Sequence, residues 1–239
     1  MPKASPVILM VQRAARFSPD AEEKDLAILR AVGDGLEAHG ARVDYVKEEL
    51  LESGRCEIDG RVEAIFSMAR SEAALGVLRK AEAKGVTVIN AVSGVATCNS
   101  RRAVDALMRG NGIPAAPLYE EGEAWVKADR GHDVFFAPDA SRVQALAGEL
   151  EQPLVTAHVV GETVKFYGVA GRFFSPDDRP ALQEAAERLA QLAGVQVYGG
   201  DAVVRSDGTF AIIDFNDWPS FSRCREAAAH AIESLYEQR

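Results

Sequence analysis

Tyr198-Gly199-Gly200-Asp201-Ala202-Val203-Val204-Arg205-Ser206-Asp207-Gly208-Thr209-Phe210-Ala211-Ile212-Ile213-Asp214-Phe215-Asn216-Asp217-Trp218-Pro219-Ser220-Phe221 is the stretch on which the reading of this chain turns. Residues 197–204 alternate and are rich in β-branched side chains, and 210–215 form a second apolar run. Ser206-Asp207-Gly208 between them is an Asp-Gly turn signal, so the two runs predict a β-hairpin. Asp214 and Asn216 are two apart, and on a strand their side chains leave the same face. Asp201 stands on the partner strand, thirteen residues back (214 − 201). A hairpin can bring the three together. Two carboxylates and an amide oxygen are hard ligands, suited to Mg²⁺ held together with substrate phosphates. The same pattern also describes a polar strand end leaving for a loop, and this stretch alone leaves both readings open.

The rest of the chain sets the frame. Its 239 residues suffice for one large domain or two modest ones. A hydrophobic content of 47% with 26% charged residues is that of a soluble globular protein. The net charge of −9 argues against a general nucleic-acid binder. Cys56, Cys98 and Cys224 are far apart, with no Cys-x-x-Cys, so neither a zinc site nor a disulfide framework is expected. A reducing cytoplasm is the expected location. The apolar run 7–11 is too short for a signal sequence and reads as a first strand. No segment approaches the ~20 apolar residues of a membrane span.

In order, 7–11 reads as a strand, 12–20 as a polar loop with Arg13 and Arg16, and 21–39 as a helix ended by Gly40. Strands are expected at 43–46, 62–66 and 86–89, with a helix at 72–84 closed by Gly85. Strands alternating with helices predict a parallel sheet covered on both faces. Residues 90–99 read as a loop, and Ser100 caps a helix running to Asn111, stopped by Gly112-Ile113-Pro114. Then the pattern changes. Strands are expected at 123–128, 133–137 and 154–160, with a helix at 140–150. A hairpin at 163–169 and 172–175, a helix at 180–193, the Asp201–Asn216 hairpin and a closing helix at 226–238 complete an α+β second half.

The ordered series in the second half resembles the ATP-grasp superfamily, most closely the ribosomal-protein glutamate ligases and glutathione synthetase-type enzymes. Val88-Ile89-Asn90, then Ser100-Arg101, then Gly112-Ile113-Pro114 is similar to their opening segment, where an Asp-Lys pair opens the helix. Arg101 lies eleven residues before Gly112 (112 − 101), as that family's phosphate-binding lysine does. Trp125-Val126-Lys127 resembles the strand carrying the second phosphate-binding lysine. The glycine-rich phosphate loop that follows it is here shortened to Ala128-Asp129-Arg130-Gly131-His132. Residues 153–161 look like the hinge, whose backbone at Ala157, His158 and Val159 would meet the adenine. Val164-Lys165-Phe166-Tyr167 resembles the strand after the hinge, and its Lys-x-Tyr form has some likeness to inositol trisphosphate kinases. Asp201, Asp214 and Asn216 fall on the metal ligands, and 218–221 on the loop bordering the acceptor.

The resemblance implies an α/β pre-domain at 1–93 and an α+β ATP-grasp domain at 94–239 with a reduced lid at 115–157. It implies ATP and Mg²⁺ as cofactors, with nucleotide contacts from Arg101, Lys127, Gly131, Ala157, His158, Val159 and Lys165, and catalytic roles for Lys165 and Arg223. The expected reaction is activation of a carboxylate as an acyl phosphate for attack by an amine or thiol. A kinase acting on a small-molecule hydroxyl, and a nucleotide-binding protein without turnover, are the alternatives. The expected partner is a small-molecule acceptor bearing a carboxylate or phosphate, with Arg13, Arg16, Arg70 and Arg223 aimed at it. Nucleic acid and membrane are not expected, and homodimer formation is left open.

Overall fold

The computed structural model describes residues 5–19, 21–176 and 178–237. Among these residues the chain forms three sheets. The first is parallel, built from β1 (Val7–Gln12), β2 (Arg42–Lys47), β3 (Val62–Ser67) and β4 (Thr87–Ile89) in the order β2-β1-β3-β4. Alternation along β1 sends Ile8 and Met10 to one face and Leu9 and Val11 to the other. The Ile8 face packs on α1 (Glu22–Ala38) through Ile28, Leu29, Val32 and Leu36. The Leu9 face packs on α3 (Glu72–Glu82) through Leu75 and Leu78. Ser71 starts α3, its Oγ accepting from the Ala74 N–H at 3.2 Å.

Two short helices add to the elements expected from the sequence. Residues 48–52 form α2 (Glu48–Glu52). The expected loop at 90–99 instead contains α4 (Val92–Cys98). Val92-Ser93-Gly94-Val95-Ala96-Thr97 is poor in helix formers, and tertiary contacts override that preference. Glu82 Oε1 accepts from the Val92 N–H at 2.9 Å and anchors the first turn. Gly94 lets α4 pass close to the end of a later helix, since a Cβ there would stand 2.4 Å from the Gly194 carbonyl oxygen.

After α5 (Arg101–Gly110), β5 (Ala124–Lys127), β6 (Val134–Ala137) and β7 (Leu154–Ala157) form an antiparallel sheet in the order β6-β5-β7. It is backed by α6 (Ala140–Glu149) through Val143 and Leu146. The strand expected at 154–160 therefore stops at Ala157. β8 (Glu162–Val169), β9 (Arg172–Phe174), β10 (Val197–Val204) and β11 (Phe210–Asp217) form the third sheet, β11-β10-β8-β9, antiparallel throughout. One face of it buries Phe166, Tyr198 and Phe215 against α5 and α7 (Pro180–Ala193). The 206–208 turn closes the hairpin as its residues predict, with Gly208 at φ 84° and Asp207 Oδ1 accepting from the Thr209 N–H at 2.9 Å.

The last helix, α8 (Arg225–Glu237), returns to the first sheet and packs beside α1, where Ala228 and Ile232 join Ile8 and Phe66 in one core. Its expected end at Gln238 lies outside the described residues. Asn90, at the end of β4, joins the parallel sheet to the third one. Its Oδ1 accepts from the N–H groups of Gln196 and Val197 at 2.8 Å each, and its Nδ2 donates to the Val197 carbonyl at 2.7 Å. Among the described residues no helix is long and apolar enough to cross a membrane.

Candidate active site

The β6-β5-β7 sheet and the β11-β10-β8-β9 sheet enclose a cavity of about 420 Å³. On one wall, register sets a row of charges across three strands: Lys165 on β8 pairs with Asp201 on β10, which pairs with Asp214 on β11. Directly opposed residues of an antiparallel pair share a face. Lys165 Nζ lies 2.8 and 3.0 Å from the two Asp201 oxygens. Asn216, two residues beyond Asp214, donates from Nδ2 to Asp214 Oδ2 at 2.5 Å. The hairpin thus gathers two carboxylates and an amide at one place. Among the described residues no group of three or more His, Cys, Asp or Glu could hold a metal ion. A cation there would draw on these two carboxylates and the Asn216 oxygen, a hard set that leaves coordination positions for ligand oxygens.

Cations line the same cavity. Lys127, at the end of β5, is buried, and its Nζ donates to the Ile213 carbonyl at 2.6 Å. Burial lowers its pKa, opposed chiefly by the nearby Asp214 carboxylate. A buried ammonium bonded to a single carbonyl retains two free donor positions. Arg101 lines the same cavity and donates to the Ala128 carbonyl at 2.8 Å. The wall is completed by an aromatic group: Trp125 Nε1–H donates to His158 Nδ1 at 3.1 Å, and Phe136 stands edge-on to both rings. That bond requires Nδ1 to be the unprotonated nitrogen of His158.

The short loop after β5 is tied down. Asp129 Oδ1 accepts from Ser100 Oγ at 2.8 Å and from the Arg102 N–H at 2.9 Å, at the N-terminus of α5. Arg130 pairs with Glu72 on α3 at 3.2 Å.

Solved structures match nearly the whole architecture. A D-alanine–D-alanine ligase from Bacillus anthracis complexed with ATP matches with a TM-score of 0.71 at 10% identity, over 98% of this chain and 98% of that one. The fold is the ATP-grasp fold. A RimK domain protein ATP-grasp from Sphaerobacter thermophilus matches at TM-score 0.67 and 17% identity, over 97% of this chain and 99% of that one. The ATP-grasp ligase PsnB, complexed with minimal precursor, Mg and ADP, matches at TM-score 0.67 and 16% identity, over 96% and 98% of the two chains. No protein-family model matches the sequence, and no curated protein matches it.

Within this ATP-grasp fold the expected site residues separate into groups. Arg101, Lys127, Ala157, His158, Val159, Asp201 and Asp214 all line the one cavity. Lys165 and Asn216 join it through Asp201 and Asp214. Gly131 instead lines a different cavity of about 280 Å³, with Phe17, Arg70, Asn99, Arg130 and His132. Arg223 is exposed in the turn before α8 and lines neither. The sequence reading gave Trp125 no role of its own, and it missed Thr156 and Ile213 as lining residues. Trp125 carried the available signal, an indole two residues before Lys127 and so on the same strand face.

The arginines expected to face an acceptor are mostly spent on the protein itself. Arg13 is buried, bonded to Asp25 at 3.1 Å and to the carbonyls of Met68 and Trp218, and burial pushes its pKa down to about 10. Arg16 pairs with Glu52. Arg70 binds Asp217 Oδ1 at 2.7 Å and Asn99 Oδ1 at 3.1 Å. Trp218 and Phe221, expected beside an acceptor, are fully buried core residues. Trp218 Nε1–H donates to the Ile89 carbonyl at 3.0 Å, and the Phe221 ring lies 5.3 Å from that of Tyr167. The polar corner needed Arg13 and Arg70 because Asp25 and Asp217 are buried there, a constraint invisible in their spacing.

Proposed function

We propose that this chain is a Mg·ATP-dependent ligase that activates a carboxylate as an acyl phosphate for attack by an amine or thiol. One observation carries the reading: the carboxylates Asp201 and Asp214 line one cavity of about 420 Å³ together with Lys127 and Arg101. The ATP-bound ligase of the same fold and the Mg- and ADP-bound PsnB support it. Asp201, Asp214 and Asn216 would hold the metal, which supplies charge neutralisation at the transferring phosphoryl group. Lys127 and Arg101 would bind the phosphate oxygens, where positioned cations stabilise charge developing in transfer. The backbone of Ala157 to Val159 and the Trp125–His158 pair would hold the base. The cavity lined by Arg70, Asn99, Arg130, Gly131 and His132 would take the acceptor, since the 128–132 loop runs from Lys127 into it. In this reading residues 1–93 form the pre-domain, 94–239 the ATP-grasp domain and 115–157 its lid.

A second reading, nucleotide binding without turnover, is favoured by the tethered 128–132 loop, which Asp129 fastens to α5. ADP release assayed against pools of amino acids, hydroxy acids and polyols decides. ADP with an amide or thioester product supports the ligase. ADP with a phosphorylated alcohol makes the chain a kinase, and no ADP with any pool favours the binder.

A further inference from the structure

The row Lys165–Asp201–Asp214 contains a cation where the carboxylates alone would suffice for a metal. Lys165 engages both oxygens of Asp201, at 2.8 and 3.0 Å, and Asp214 Oδ2 already accepts from Asn216. The Asp201 carboxylate is thus already compensated by the Lys165 ammonium, and Asp214 has the buried Lys127 ammonium nearby. We propose that Lys165 is a resident cation that competes with the divalent metal for Asp201, so that metal and nucleotide enter the cleft together. The inference rests on the reading of this cleft as a metal–nucleotide site, and it specifies how that site is regulated.

A divalent ion on Asp201 and an ammonium touching the same oxygens repel strongly at hydrogen-bond range. Lys165 can leave, because its side chain is 46% exposed and its four-carbon stem is flexible. Once displaced, its charge needs a new anionic partner, and a phosphate held on the metal is the nearest that the reading supplies. A free metal meets a carboxylate already compensated by Lys165. A free nucleotide meets a lysine already compensated by Asp201. Only the complex exchanges both partners at once, which makes the two ligands bind cooperatively. A merely structural ion pair would have no such effect on ligand coupling.

The test measures Mn²⁺ binding, by the electron paramagnetic resonance of free Mn²⁺, with and without a non-hydrolysable ATP analogue. The proteins are the wild type, Lys165→Met, Lys165→Arg and Asp214→Asn, each checked for an unchanged circular dichroism spectrum. Lys165→Met is expected to bind Mn²⁺ alone about threefold to fivefold tighter, the range set by a half-exposed ion pair. It should also lose a similar factor of coupling between Mn²⁺ and the analogue, while Lys165→Arg stays near wild type. If Asp214→Asn loses Mn²⁺ but Lys165→Met binds it no tighter, the competition is wrong and the cleft stands. If Asp214→Asn binds Mn²⁺ like the wild type, the metal lies elsewhere and both readings fall.

Discussion

Two places in this molecule concentrate charge, and they use it in opposite ways. At the carboxyl ends of the parallel strands, Glu48 is fully buried and accepts from the N–H groups of Ala14, Arg70 and Ser71 at 2.8, 2.8 and 2.6 Å. Asp217, also fully buried, is held by Arg70, and Asp25 by Arg13 and Ser18. These groups are paired with the protein and stitch the loops after β1, β2 and β3 to the end of β11. In the cleft between the antiparallel sheets, Lys127 has one carbonyl partner, and Lys165 is half-exposed on Asp201. The difference teaches that position at strand ends is a poor guide to function by itself. What separates the two regions is how many partners each charge has and whether it still faces open space.

The comparison breaks first at Glu48. Glu48→Ala removes three acceptor contacts and unbalances Arg13, so a loss of about 3–5 kcal/mol in urea unfolding is expected. Arg70→Ala comes next. It leaves the buried Asp217 carboxylate without its cation and is expected to cost about 3 kcal/mol, by the same measurement. A loss below about 1 kcal/mol in both would mean that this corner is not structural, and would free Arg70 to bind an acceptor in the cavity that it lines.

The cleft should answer differently. Lys127→Met is expected to leave the melting temperature unchanged or raised, because burial disfavours the charge that it removes. Mg·ATP affinity should fall by about tenfold or more, the worth of a charge-assisted hydrogen bond. Melting curves with calorimetric titration check both parts, and lowered stability with unchanged affinity would place Lys127 in the structural class. The smallest effect belongs to Lys165→Met, whose stability change should stay within about 1 kcal/mol and shrink further in high salt.

These contrasts explain what could be read from the chain. The hairpin, and the gathering of Asp201, Asp214 and Asn216 on it, were legible because strand periodicity and an Asp-Gly turn fix which residues oppose each other. Asp201 stands opposite Asp214, as the interval allowed. The place of Lys127 in the cleft was legible because a lysine between apolar strand residues is odd for packing alone, but its partner, the Ile213 carbonyl, was not. The arginines were not, because their spacing on the chain is silent about Glu48, Asp25 and Asp217, the acids that claim the surrounding network. Nor was α4, whose weak helical sequence is held by Glu82 and by the close passage of Gly94 past Gly194. Gly131 was placed on the phosphate side by analogy of order. Asp129 and Arg130 draw its loop toward α5 and α3 instead.

The central claim is that the cleft between the two antiparallel sheets binds metal and nucleotide through the Asp201–Asp214 hairpin. Calorimetric titration of Mg·ATP into the wild type and Asp214→Asn, with melting curves of both, tests it most directly. Saturable binding to the wild type, at least tenfold weaker binding to Asp214→Asn, and melting temperatures within a few degrees of each other are expected. Equal affinity in the two proteins, or no binding to the wild type, would contradict it.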